Sequence, residues 1–209
     1  MILEKRTLDN GGLLAIWHIT EDTDTLMGML DHDPLLSKTV FSFQSEKRRL
    51  EYLAVRVLLK ELLGKTVEVV YDEHNRPSLA DKSYNLSITH TGEWAAVLLH
   101  PTKQVGIDVE RIAEKVVRVK HKFLSENELS FVKEEVEKTH LALMWSVKES
   151  MYKALGQVIV NYPVDFEIKP FEPFLKGEIN AVAHQKSGDK EYNLNYEVFA
   201  QFVLVYTLK

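Results

Sequence analysis

An α+β fold of two similar lobes is what this sequence predicts, each lobe a small, mainly antiparallel sheet packed with a long helix. Two observations carry it. A helical apolar stripe ending at Leu63-Gly64 is followed by a β-rich segment. A second stripe ending at Leu155-Gly156 is followed by another. Helix plus sheet twice over reads as a pseudo-dimer with a cleft between its lobes. The chain has 209 residues, 45% of them hydrophobic and 27% charged, enough to build a core in one large domain or in two small lobes. The reading places residues 1–104 in an N-terminal lobe and 105–209 in a C-terminal lobe.

Taken in order, Leu13–Ile19 reads as a mostly buried strand, and the acidic, Pro-containing stretch 21–39 has room for a short helix. Ser45 can cap a helix running to Leu63, whose Leu50, Leu53, Ala54, Val57 and Leu58 make one buried stripe before Gly64 ends it. Thr66–Tyr71 is a strand, and Asp72–Pro77 a turn rich in Asp, Asn and Pro. Residues 84–90, 94–99 and 104–110 are spaced as strands of a small sheet. Lys115–Lys122 reads as a basic loop facing no acid. Ser125-Glu126-Asn127-Glu128 is a capping box opening a helix to Val136. Thr139 can cap the next helix, which buries Leu141, Met144, Met151, Tyr152 and Leu155 and stops at Gly156. The tail holds strand-like segments at Asp165–Lys169, Gly177–Ala183, Tyr192–Ala200 and Phe202–Leu208.

The bulk properties exclude several function classes. A net charge of -5 argues against nucleic-acid binding by the whole surface. The absence of cysteine removes disulfides, thiolate nucleophiles and Cys-ligated zinc together. The N-terminus carries charges where a signal peptide needs apolar residues, and no apolar run is long enough to span a bilayer. A cytoplasmic protein without membrane contact is therefore expected. No Gly-x-Ser-x-Gly elbow, phosphate-binding Gly-rich loop, His-Glu-x-x-His or dinucleotide fingerprint is present.

Two charged constellations remain. Asp108 and Glu110 are two apart on a strand and so share a face. Two like charges side by side need an offset, and Mg²⁺, which takes few carboxylates and leaves positions for water and phosphate, would supply one. Glu149 and Lys153, four apart on the second long helix with Trp145 a turn earlier, also share a face. Alone they make a surface ion pair worth a few tenths of a kcal/mol. If the helix packs beside the strand, Glu149 becomes a third carboxylate. Thr89 and His90, ending a strand before Gly92, are plausible phosphate contacts. Lys47, Arg48, Arg49 and Arg56 on the first long helix read either as a solvated face or as an anion site.

Together these residues resemble the 4′-phosphopantetheinyl transferases. Gly106-Ile107-Asp108-Val109-Glu110 followed by Trp145-Ser146-Val147-Lys148-Glu149-Ser150-Met151-Tyr152-Lys153 is similar to that family's paired signature. Asn75-Arg76-Pro77 resembles its Gly-Lys-Pro turn, and Leu86–Gly92 its Ser-His segment, with Thr89 in place of Ser. The motifs cover residues 45–156, and length and the two-lobe echo resemble the larger single-chain class that activates surfactin synthetase.

The resemblance implies transfer of the phosphopantetheine arm of coenzyme A to a serine of an acyl or peptidyl carrier protein, with adenosine 3′,5′-bisphosphate as the other product. It implies Mg²⁺ on Asp108, Glu110 and Glu149, and Lys153 on the pyrophosphate. Thr89, His90, Arg76, Arg49 and Arg56 would contact coenzyme A from the N-terminal lobe. Glu128 is a candidate base on the carrier serine as well as a capping-box acid, and Lys115, Arg118, Lys120 and Lys122 are a candidate docking patch for an acidic carrier. A two-lobed chain can build its cleft alone, so a monomer is expected. Two other readings keep the same residues: a Mg²⁺-dependent hydrolase of coenzyme A-like pyrophosphates, and a non-catalytic module binding coenzyme A or a carrier protein.

Overall fold

The first strand, β1 (Ile2–Thr7), carries no clear pattern in the sequence; it is set by its partner, pairing antiparallel with the apolar β2 (Leu13–His18). The computed structural model describes residues 2–8, 11–156 and 160–209. Its chain divides into two units, Met1–Thr102 and Lys103–Lys209. Each has its own hydrophobic core, one long helix and one principal antiparallel sheet, so the α+β class with two sheet-containing lobes is what forms.

In the first unit, the acidic stretch after β2 yields two short helices, α1 (Thr23–Met29) and α2 (Pro34–Ser42), because Asp22 and Asp33 each supply an N-cap. The long helix α3 (Glu46–Leu63) starts where Ser45 Oγ accepts from the Arg48 N–H, and ends at Gly64 in the left-handed region. More than one stripe is buried: Leu53, Ala54, Val57 and Leu58 are joined by Val55 and Leu59. Strand β3 (Val69–Tyr71) is shorter than the apolar run that suggested it, since its partner β4 (Pro77–Leu79) is only three residues long. Strands β5 (Asn85–Thr91) and β6 (Trp94–His100) complete a four-stranded sheet ordered β1-β2-β6-β5, and β6 is buried along its whole length.

In the second unit, β7 (Val105–Arg111) leads to α4 (Glu114–Val119) and a 3-10 turn, where a basic loop is expected from sequence. The region does face acids: Lys120 pairs with Glu137 at 2.8 Å, and Glu114 at the head of α4 pairs with Lys138. The capping box at Ser125 forms, but its helix α5 spans only Glu126–Leu129. It cannot run on to Val136 because the Lys133 N–H is diverted to His140 Nδ1 at 3.1 Å. The long helix α6 (Glu137–Leu155) begins before Thr139, led in by a 3-10 turn at Glu134–Val136 with no side-chain cap, and stops at Gly156 with φ +67°. After α7 (Tyr162–Asp165) come β8 (Phe166–Ile168), β9 (Lys176–Ala183), β10 (Lys190–Val198) and β11 (Phe202–Leu208).

The sheet order is β7-β11-β10-β9-β8, which puts β7 at one edge, paired with β11. Helix α6 lies on β7 and β11 so closely that a Cβ on Gly106 would stand 1.9 Å from the Ser150 carbonyl oxygen. Ser150 Oγ reaches across to the Val205 carbonyl at 3.0 Å. Only glycine at position 106 permits this approach, and the approach brings the polar face of α6 to the acidic strand.

Candidate functional site

Strand alternation and the helix seat converge in the second unit. Asp108 and Glu110 project from β7 as the two-residue period requires. From α6, Ser146 Oγ donates to Asp108 Oδ2 and Lys153 Nζ to Asp108 Oδ1, both at 2.8 Å. The same ammonium bonds the Ile107 carbonyl at 2.8 Å. The ion-pair partner of Lys153 is thus Asp108 on the strand, and not Glu149 four residues earlier on its own helix.

Among the described residues, Glu149 and Glu110 are the two acids whose proton affinity is raised. Burial pushes Glu149 up first, then the charge of Asp108; the Tyr162 hydroxyl and Lys153 pull it back, and Glu110 adds to the rise. Burial also leads for Glu110, followed by Asp108, against the Arg111 N–H, Lys115 and the Trp145 side chain. The three carboxylates therefore feel one another's charge, as the expected proximity of helix and strand demands. Tyr162 O–H donates to Glu149 Oε1 at 2.7 Å. Burial, and next the Glu149 charge, push that phenol up, so it stays a donor.

Whether these acids suit Mg²⁺ is a question of donor chemistry. They are three hard oxygen ligands, mutually repelling and partly desolvated, which is the donor set this ion takes. Among the described residues no group of three or more His, Cys, Asp or Glu side chains is gathered into metal-holding geometry. Asp108 instead has both oxygens on Lys153 and Ser146. The residues fit the ion by chemistry and charge, in an arrangement that balances Asp108 with an ammonium.

Glu128 departs from expectation. Its side chain is fully buried, and its Oε2 accepts from Lys148 Nζ at 2.8 Å and from the Ser125 N–H and Oγ. Its Oε1 accepts from the Ile168 N–H at 2.9 Å. Lys148, also without exposed surface, gives its other protons to the Tyr162 and Phe166 carbonyls. A carboxylate so enclosed cannot reach a carrier serine, which corrects its reading as a base; it ties α5, α6 and β8 together. Sequence alone cannot find this, since the capping box shows while the donors 20 and 40 residues away do not.

In the first unit, β5 places Thr89 in a buried position and His90 in an exposed one. His90 stands 3.2 Å from Arg48 and 3.3 Å from Glu51, both on α3. The arginine brought to His90 is therefore Arg48. Arg49 turns to the Phe43 carbonyl at 2.9 Å and to Glu46. Arg56 is buried, its guanidinium 3.5 Å from the centre of the Tyr52 ring and in reach of the Tyr71 hydroxyl, with no carboxylate paired to it among the described residues. Arg76 lies in the β3–β4 turn against Asp72 at 3.6 Å. Of the basic patch, Lys115, Arg118 and Lys122 are exposed, while Lys120 is held by Glu137. No helix among the described residues is long and apolar enough to cross a membrane.

Comparison with known proteins bears on the same half of the chain. Residues 104–207 match the family described as the 4′-phosphopantetheinyl transferase superfamily. The match takes in the strands of the tail, where no motif is legible. The chain is similar to the 4′-phosphopantetheinyl transferase gsp of Aneurinibacillus migulanus, 32% identical over 91 residues, or 41% of this chain and 37% of the relative. It is similar to the 4′-phosphopantetheinyl transferase AcpT of Salmonella typhi, 32% identical over 117 residues, covering 52% and 60%. A holo-[acyl-carrier-protein] synthase of Bacillus pumilus is 35% identical over 80 residues, covering 30% and 66%. The matched stretches thus span between about a third and two thirds of these relatives' own lengths. With the acids and Lys153 of β7 and α6 in place, the chain belongs to the 4′-phosphopantetheinyl transferase superfamily.

Proposed function

We propose that the protein transfers the 4′-phosphopantetheine arm of coenzyme A to a serine of an acyl or peptidyl carrier protein, with Mg²⁺, releasing adenosine 3′,5′-bisphosphate. The observation that carries this is the joining of Asp108, Glu110, Glu149 and Lys153 across β7 and α6, in a chain of this family. When bound, the ion neutralises charge on the pyrophosphate. Asp108, Glu110 and Glu149 would hold it. Lys153, anchored on Asp108 and the Ile107 carbonyl, presents a fixed positive charge to the departing phosphate.

In the transfer, the serine oxygen forms a bond to the phosphorus bearing the pantetheine arm. The bridging phosphorus–oxygen bond breaks, and the electron pair leaves with adenosine 3′,5′-bisphosphate. The serine proton goes to a carboxylate. Glu128 is closed off from that role by its bonds to Lys148, Ser125 and the Ile168 N–H. Thr89, His90, Arg49, Arg56 and Arg76, with Arg48 beside His90, form the coenzyme A-binding side of the reading, and Arg56 is the strongest of them because, among the described residues, its buried charge has aromatic and neutral oxygen partners. Exposed Lys115, Arg118 and Lys122 would meet an acidic carrier.

The test is intact-mass spectrometry of an apo carrier protein after incubation with this protein, coenzyme A and Mg²⁺. A gain of one phosphopantetheine group is expected. Breakdown of coenzyme A with the carrier unmodified would replace transfer by hydrolysis. Glu149→Gln should abolish the gain while the far-ultraviolet circular dichroism stays that of the parent.

A further inference from the structure

Tyr162 belongs to no motif singled out in the sequence, yet among the described residues it makes the one direct hydrogen bond to the Glu149 carboxylate, at 2.7 Å. It comes from outside both elements that carry the site, on α7, a short segment after α6. Its ring is gripped on several sides. It stacks on Trp145 with centroids 5.7 Å apart and planes 14° off parallel. Phe166 meets it edge-on at 5.6 Å, and Tyr152 flanks it at 6.1 Å. Its carbonyl accepts from Lys148 Nζ at 3.0 Å, and that ammonium is itself locked on Glu128. Pro163 follows, fixing its own φ, and the Asn161 N–H is bonded to Asp165 Oδ2 at 2.6 Å. The hydroxyl therefore has very little freedom to be anywhere else.

Resting on the function proposed above, we infer that Tyr162 is a positioning residue: held by the Trp145 stack and the Lys148–Glu128 pair, its hydroxyl fixes the rotation of the Glu149 carboxylate that is offered to the divalent cation. Glu149 is the one site acid on a helix, and its side chain has one more torsion to fix than that of Asp108. Asp108 has Ser146 and Lys153 to orient it, and Glu110 has the Arg111 N–H. For Glu149 that task falls to Tyr162. A donor on one carboxylate oxygen leaves the other in a defined direction, which is how partners behind a ligand set metal affinity. The buried Lys148–Glu128 pair gains a purpose in the same scheme, since it pins the backbone from which the tyrosine reaches.

Tyr162→Phe separates this role from packing, because the ring, its stack and the Lys148 bond to the carbonyl are all retained. The measurement is Mn²⁺ binding to the full chain, read by the electron paramagnetic resonance signal of the free ion, on the parent, Tyr162→Phe and Glu149→Gln. The expected result is an Mn²⁺ dissociation constant about tenfold or more weaker in Tyr162→Phe at an unchanged melting temperature. In transfer assays the Mg²⁺ concentration for half-maximal rate should rise, KM for coenzyme A should hold, and excess Mg²⁺ should restore kcat. A merely structural tyrosine would shift the melting temperature and leave the metal constant alone. Parent-like Mn²⁺ binding by Tyr162→Phe, with binding lost in Glu149→Gln, overturns the positioning role and spares the metal reading. Absence of Mn²⁺ binding in the parent overturns both.

Discussion

Lys148 and Lys153 lie five residues apart on one helix and carry the same charge into different work. Lys148 is sealed with Glu128, and burial holds its ammonium below the ordinary lysine range despite the carboxylate beside it. Breaking such a pair from one side leaves a charge uncompensated. Lys148→Met is expected to cost about 3–5 kcal/mol of stability, measured by urea unfolding, with part recovered when Glu128→Gln is added. Lys153 is partly exposed and its partner Asp108 keeps Ser146. Lys153→Met should leave the urea midpoint near that of the parent and cut single-turnover transfer by about a hundredfold or more. His140 gives the pH prediction. Burial lowers its pKa from 6.5 to about 4, and its Nδ1 is occupied by the Lys133 N–H. Between those values the unfolded chain takes up a proton that the folded chain refuses, so stability is full above 6.5 and falls as pH drops toward about 4. Replacing it by Asn, which keeps an acceptor for Lys133, should flatten that slope in urea titrations run across the window. None of these three roles is written locally: each lysine and the histidine is decided by a partner that only the fold supplies.

At the scale of elements, the contact of α6 with β7 is the one on which the site depends. Gly106→Ala would drive a methyl into the Ser150 carbonyl, so the helix must lift. Overpacking of this kind costs about 1–3 kcal/mol, and the lift would lengthen the Lys153–Asp108 bond. We expect a lower melting temperature together with reduced transfer. The ends of the long helices were readable because Ser45, Gly64 and Gly156 act within one turn of the chain. The start of α6 was not, since the backbone bond that would extend α5 is diverted to a side chain on the next helix. The edge strand β1 was also missed, having no apolar alternation of its own and taking its register from β2.

For the whole molecule, the two-lobe plan was legible from a repeated helix-then-sheet order, and the acids of β7 and α6 from their motifs. Orientation within the site was not legible: Tyr162 enters through aromatic packing, and the approach of Arg48 to His90 depends on how α3 lies against β5. Because each unit encloses its own core, residues 103–209 expressed alone are expected to melt cooperatively, as followed by circular dichroism. Such a fragment should still bind Mn²⁺ and fail to transfer, lacking the basic residues of the first unit. The pairing of β7 has a consequence in time as well. The strand bearing Asp108 and Glu110 is made early but its neighbour β11 is made roughly a hundred residues later. While the ribosome works through the stretch between, those acids have no sheet to stand on. Strand β7 is thus without its partner until synthesis of β11 is done, and a ribosome stalled before Phe202 would carry a chain with every motif residue and none of the β7–β11 pairing.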